Sequence, residues 1–534
     1  MAETWRRTVL TFEAAREYAD PVRDCAVVAT FAGPSGEEIL REAYWDGGRT
    51  YRVSFAPPVP GSWNWSLAAP ADSGLDGLFG TLEAEPYRGE LPIYRHGFLR
   101  VAENRRYLTY ADGTPFLWLG DTHWAFATGE RWDESNHPAM GSMFRGMVDR
   151  RVEQGFSVCQ ANLRANEADD RYWLDPDAEK PVPNVAFYQQ ELDRRMAYVA
   201  DAGLVNALGL AWYDELFQPN GMEQMKTLAR YVVARYGALP VVWTLAGEVA
   251  GYDSAHREEL IAGWDEVARV IESCDGYGHL QTAHYTTRRP MEEYYQDASW
   301  HDLTLGQAGH GDYLVGEGDY REFFSAHHEK PFVEGEAMYE GCSTLEENGS
   351  RQVTPAMVRR VAYMVMQLGG CGYTYGAQGI WDCVWDEAFF EDPANDVLVG
   401  MFNRFHWTWR DGIDAPGAVQ LGHWKRFYED VRFWELAPYE RPGANGARWR
   451  KQPMATVSEQ CDRIAAYYTE AARKPLRVEG LAAGEWTWRW FDPRTGEWGE
   501  PCSIALDGTW TLPPRPDCND WCLTASKTER DKML

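Results

Sequence analysis

Lysine is scarce in this 534-residue chain: it supplies 8 of the 52 basic residues, and the formal net charge is −29. The basic footprint that nucleic acid or an anionic membrane needs is missing, so a neutral ligand fits better. No window approaches the roughly 20 apolar residues of a membrane-spanning helix. The N-terminus, MAETWRRTVLTFEAAREYAD, scatters charges where an export signal would be apolar, which leads us to expect a cytoplasmic protein. The ten cysteines include no C-x-x-C and no Cys/His cluster at zinc spacing. Reduced, buried thiols are therefore expected, with Cys518 and Cys522 as the one close pair that oxidation could bridge. There is no G-x-S-x-G elbow and no H-E-x-x-H, and His327 and His328 are adjacent, which splays them on a helix. No metal or cofactor is expected.

Aromatic residues, by contrast, are abundant: 25 Trp, 28 Tyr and 21 Phe. Sugar rings present flat C–H faces that stack on such rings, although most large aromatics in any fold serve the core. A chain this long divides into two or three domains. Residues 1–90 alternate like a small β-sandwich, with CAVVATF, ILREAYWD and TYRVSFAP separated by turn clusters. Across 91–438, strand candidates alternate with amphipathic helices. The strands are PFLWLGDTHW, FSVCQANLR, VNALGLAWY, VVWTLAGEV, HLQTAHYT, SWHDLTLGQAGHG, PFVEGEAMYE and GCGYTYGAQGIW, with a short helix around REFFSAHH before the seventh. Eight strand–helix units predict a (β/α)₈ barrel, and the absence of a glycine-rich phosphate loop argues against a doubly wound sheet. Residues 439–526 return to β texture as a second sandwich, followed by a charged tail, 527–534. The flanking sandwiches offer surfaces either to wall a cleft or to join copies of the chain.

Two glutamates stand where buried parallel strands run out into solvent: Glu248 after VVWTLAG and Glu336 in PFVEGEAMYE. The mouth of such a barrel is where its chemistry sits, and two carboxylates facing one cleft are the minimal equipment for cleaving a glycosidic bond. Strict alternation puts Val242, Thr244, Ala246 and Glu248 on one face. It also puts Glu334 and Glu336 on one face, about 6.6 Å apart along the strand, unless Gly335 marks a bulge that redirects one of them. Parity favours Glu336 at the rim, with Glu334 a layer below. Polar and aromatic residues gather at the other strand ends: Asp121 and His123; Gln160, Asn162 and Arg164; Trp212 and Asp214; His284 and Tyr285; Gln307 and His310; Tyr375, Gln378 and Trp381. A ring of this kind suits a polyol ligand such as an oligosaccharide. A carbohydrate-binding scaffold would need the aromatic rim but not two convergent carboxylates.

With W-L-G-D-T-x-W at 118–124, V-V-W-T-L-A-G-E at 241–248, K-P-F-V-E-G-E-A-M-Y-E-G at 330–341 and G-Y-T-Y-G-A-Q-G-I-W at 372–381, the chain resembles the apiosidase-like glycoside hydrolases. These are barrels related to glycoside hydrolase clan A. The N-terminal block and W-F-D-P-R-T-G at 490–496 look like the sandwiches that flank them. The resemblance implies a retaining enzyme with Glu248 as acid/base and Glu336 as nucleophile. Trp124 and Tyr339, aromatic residues next to the ends of the first and seventh strands, complete the expected substrate contacts. One position departs from the pattern. Clan A enzymes commonly carry Asn directly before the acid/base, in contact with the sugar 2-hydroxyl, and here that position is Gly247, so the contact must come from elsewhere, such as Asn162 or His284.

Overall fold

The computed structural model describes all residues except 1, 128, 165–169, 177, 287–293, 308–329, 345–350, 440–451 and 529–534. At its centre, seven parallel strands follow the sheet order Val241–Gly247, Val205–Trp212, Val158–Asn162, Trp118–His123, Gly372–Tyr375, Phe332–Glu334 and Thr304–Gly306. The expected fifth strand closes the ring through two single bridges, Trp243 with Gln281 and His284 with Leu305. Its main chain is nonetheless paired: Trp243 N donates to the Leu280 carbonyl (2.9 Å) and Thr282 N to the Trp243 carbonyl (2.8 Å). The barrel predicted from the sequence is therefore present, with one stave reduced to a few hydrogen bonds. The predicted helix around REFFSAHH lies outside the described residues.

The strands are apolar on both faces because each is covered twice, by the lumen and by helices. Those helices include Met143–Glu153, Gly221–Tyr236, Arg257–Cys274, Pro355–Gln367 and Pro416–Asp430. Their starts carry ordinary stop-and-go signals. Ser142 accepts from Arg145 N at 3.0 Å, and Pro355 and Pro416 occupy first-turn positions where a missing N–H costs nothing.

Before the barrel, a five-stranded sheet (Ala2–Glu3, Phe79–Glu85, Gly61–Ala68, Val28–Ala32, Glu38–Glu42) and a three-stranded sheet around Thr50–Phe55 enclose their own core. Phe31 stacks on Phe55 at 3.8 Å between centroids, and Trp63 packs edge-on against Phe55. After the barrel, an antiparallel sheet begins at Leu436–Pro438 and ends at Trp521–Lys527. One face buries a second small core; the other docks on the barrel, where Tyr467 stacks on Tyr363 (4.6 Å) and Phe491 meets Phe427 (5.1 Å). No helix among the described residues is long and apolar enough to cross a membrane.

A buried ion pair pins that docking. The Arg359 guanidinium forks onto Asp520 (2.9 and 2.8 Å), and the Tyr467 hydroxyl donates to the same carboxylate (3.1 Å). Removing one partner of such a pair strands the other charge in the interior. Asp520→Ala is expected to lower stability by about 3–5 kcal/mol in urea denaturation. A loss below about 1 kcal/mol would mean that the apolar contacts alone hold the sheet.

Candidate active site

Strand register identifies the lumen face. Trp118 Nε1 donates to Thr374 Oγ1 (3.0 Å), Thr374 Oγ1 to Gln160 Oε1 (3.0 Å), and Gln160 Nε2 reaches across the barrel to the Gly335 carbonyl (2.9 Å). These bonds form a polar floor beneath the mouth. Asn162, two residues beyond Gln160, continues the same face upward.

Glu248 reaches the mouth by an irregular route. Val241–Gly247 slips register against its neighbour around Gly209, Leu245 adopts φ +55°, and Glu248 follows the strand end at φ +53°. Simple alternation from Val242 therefore does not aim this carboxylate; a left-handed turn does. Such backbone persists only where its surroundings over-determine it. Here Thr286 Oγ1 and Gly251 N both donate to the Glu248 carbonyl (3.0 and 2.7 Å), and Glu248 N donates to His284 Nδ1 (3.3 Å). The side-chain Oε1 accepts from Gln307 Nε2 (3.1 Å) and from the Tyr252 hydroxyl. Burial first, and then the negative charge of Glu336, raise the Glu248 carboxyl above its ordinary range.

Glu336 corrects the parity expectation. The regular strand ends at Glu334, which pairs with Gly306 and Tyr373, the latter in register with outward-facing Leu119. Gly335 N and Glu336 N then both donate to the one Gly306 carbonyl (2.7 and 3.3 Å). Two residues against one is a bulge, and it reverses the side on which the next side chain lies. Glu334 and Glu336 thus do not share a face. Glu334 Oε1 accepts from Glu336 N (3.3 Å), while the Glu336 carboxylate enters the mouth with Oε2 3.1 Å from His284 Nε2. Because Nδ1 of His284 accepts from the Glu248 main chain, its proton belongs on Nε2, the nitrogen nearer Glu336.

Aromatic side chains enclose the pair. Trp124 donates through Nε1 to the Tyr339 hydroxyl (3.0 Å) and packs edge-on against Trp212 (5.2 Å) and His284 (5.5 Å). Tyr339 lies beside Glu336, whose charge helps to raise the phenol after burial has done so. Trp381 packs at 5.9 Å from Tyr339, and its Nε1 donates to Gln378 Oε1 (3.2 Å), while Gln378 in turn binds Asp382.

Four of the expected rim residues point elsewhere. Asp121 and His123 face outward, toward the helix layer, because Trp118, Gly120 and Thr122 take the lumen side of the same strand. There Asp121 binds Arg151 and His123 Nε2 (2.9 Å), and His123 Nδ1 meets Glu130 (2.6 Å), all buried. Burial opposes the charge on His123, yet Glu130 and Asp121 together outweigh it and lift the imidazole to about 9. Arg164 pairs with buried Glu215 (3.1 Å). Tyr375 donates to Glu340 (2.6 Å), which also accepts from Gly417 N (2.9 Å) on the outer side. His310 lies outside the described residues. Conversely, Tyr252 was not expected; its only sequence signal is an aromatic residue four positions past a strand-end carboxylate.

Gly247 and Asn162 interlock. A Cβ at position 247 would lie 2.2 Å from the Trp212 ring and 2.9 Å from Asn162 Nδ2. Asn162 Nδ2 is buried and has no hydrogen-bond partner among the described residues. The indole thus fills the space that a side chain before Glu248 would need, and a donor waits beneath it. No cluster of three or more metal-ligating side chains occurs among the described residues.

A family model described as "Apiosidase-like, catalytic domain" matches residues 102–435, and one for a domain of unknown function (DUF5060) matches residues 1–69. A solved glycoside hydrolase is 23% identical with a TM-score of 0.66, covering 83% of this chain and 100% of its own. A putative glycoside hydrolase from Bacteroides vulgatus ATCC 8482 is 17% identical with a TM-score of 0.72, covering 99% of both chains. At these identities the likeness is one of fold. No curated protein sequence matches.

Two titrations follow from the geometry. Tyr252→Phe removes a donor that lowers the Glu248 carboxyl, so its titration, followed by difference infrared spectroscopy, is expected to move to higher pH. No movement would contradict the contact. Burial raises Glu340 to about 7, only partly offset by the Tyr375 and Gly417 donors. A carboxyl raised on folding stabilises below its ordinary range and loses that contribution as pH rises through 7. Thermal stability should therefore decline between about pH 5 and pH 8, and Glu340→Gln should flatten the decline. An unchanged slope would count against this account.

Proposed function

The chain belongs to the apiosidase-like family of glycoside hydrolases, and on that premise we propose a retaining, exo-acting enzyme that releases terminal sugars from oligosaccharides. Glu336 would attack the anomeric carbon as the bond to the leaving oxygen breaks, and Glu248 would give that oxygen its proton. In the second step Glu248 takes a proton from water, the water oxygen bonds to the anomeric carbon, and the ester to Glu336 breaks. The observation that carries this reading is the single imidazole of His284, which accepts from the Glu248 main chain and lies against the Glu336 carboxylate. It makes one carboxyl group a neighbour of the other, and the raised Glu248 is suited to donate a proton.

A small glycon, furanosidic or pentose, is favoured by the space that Trp212 takes beneath Glu248, and Asn162 offers a donor to one of its hydroxyls. The test is a panel of aryl glycosides, furanosides included, assayed with wild type and Glu248→Ala. The variant is expected to lose about 10²–10⁴-fold on substrates with poor leaving groups and far less on those with good ones. Equal losses on both would remove Glu248 from the acid role. Binding without turnover across the panel would favour a carbohydrate-binding scaffold.

A further inference from the structure

We propose that Asp382 is a positioning residue for the sugar site: acting through the Gln378 amide, it fixes which way the Trp381 indole faces at the barrel mouth. The proposal rests on the reading of this mouth as a glycosidase site in which Trp381 borders the bound sugar.

The motif G-A-Q-G-I-W-D at 376–382 brings the three residues together. Beyond the eighth strand, Gly372–Tyr375, the chain coils: Ile380 N donates to the Ala377 carbonyl (3.1 Å) and Val384 N to the Gly379 carbonyl (3.0 Å). Gln378 thereby meets Trp381 and Asp382, three and four positions on, along one side of the coil. Gly379 holds φ +84°, and a Cβ there would lie 2.2 Å from the Thr408 carbonyl oxygen, so the turn admits no side chain.

Tyr339 (5.9 Å) and Phe402 (5.8 Å) pack against the Trp381 ring. Such contacts are indifferent to which edge of the indole carries the N–H, whereas its bond to Gln378 Oε1 (3.2 Å) is not. Gln378 is fully buried, so its amide finds its partners within the protein. An ionised carboxylate only accepts hydrogen bonds. Asp382 therefore receives the NH₂ end of the amide, and the oxygen end is left for the indole. Burial raises the Asp382 carboxyl to about 7, against donors that include Asn403 and Gln378, and above that pH it is ionised. Asparagine would avoid the cost of a buried charge, but it donates as well as accepts and would let the Gln378 amide turn over.

The experiment labels the full-length chain with 5-fluorotryptophan, assigns the Trp381 fluorine NMR line as the one lost in Trp381→Phe, and follows it at about pH 8, where Asp382 is ionised. Asp382→Ala and Gln378→Met are expected to shift that line, and Asp382→Asn to shift it less. On the aryl glycoside that wild type turns over fastest, Asp382→Ala is expected to raise KM about fivefold with kcat within about twofold, and to add nothing in a Trp381→Phe background. An unmoved line overturns the proposal, as does a fall in kcat without a rise in KM, or a full further loss in the Trp381→Phe background. Should Asp382→Ala fail to fold, Asp382→Asn and Gln378→Met decide: wild-type line and KM in both overturn it. A shifted line without turnover of any glycoside by wild type would leave the Asp382 relay standing and remove the glycosidase reading. Turnover that depends on Glu248, with an unmoved line, would do the reverse.

Discussion

One imidazole holds the mouth of this barrel in order. His284 sits on the most irregular stave, accepts a hydrogen bond from Glu248 N, and turns its other nitrogen to within 3.1 Å of Glu336. The first contact fixes the tautomer, which leaves Nε2 protonated beside the Glu336 carboxylate. Because the fourth strand leaves the sheet at Glu248 and the seventh bulges at Gly335, neither carboxyl group is aimed by regular strand geometry. Both depend on side-chain and main-chain contacts around this ring.

That arrangement has a cost. Leu245 and Glu248 hold left-handed backbone that costs on the order of 1–3 kcal/mol each in a residue with a side chain. The compensation lies in the buried layers beneath and outside the site. The polar floor through Trp118, Thr374 and Gln160 spans the lumen, and the Asp121, His123, Arg151 and Glu130 network ties the first strand to its helix. Those charged residues shape the site without touching its cavity.

The sequence carried the barrel, its β-rich flanks and the position of Glu248, because long periodic segments with carboxylates at their ends survive local irregularity. It also carried Trp124, Trp212, Tyr339 and Trp381, since aromatic residues at strand ends mark a rim on whichever face they fall. Orientation was harder to read. Asp121 and His123 looked like rim groups because their partners, Arg151 and Glu130, are brought to them only by folding, and a polar residue at a strand end reads the same in either direction. Tyr375 misled in the same way, its partner Glu340 lying 35 residues away. The bulge at Gly335 was legible only as an option, since one glycine between two glutamates does not say which of them turns.

Gly247 has a physical reason in the structure that composition could not supply. The Trp212 ring occupies its side-chain space, and the buried amide of Asn162 lies against it. The central claim, that Glu336 and not Glu334 forms the covalent bond, is tested most directly by trapping. The protein is incubated with a 2-deoxy-2-fluoro glycoside of its preferred sugar bearing an activated leaving group, then digested and mapped by mass spectrometry. The account predicts a glycosyl ester on Glu336. An ester on Glu334, or turnover with inverted configuration and no ester, would contradict it.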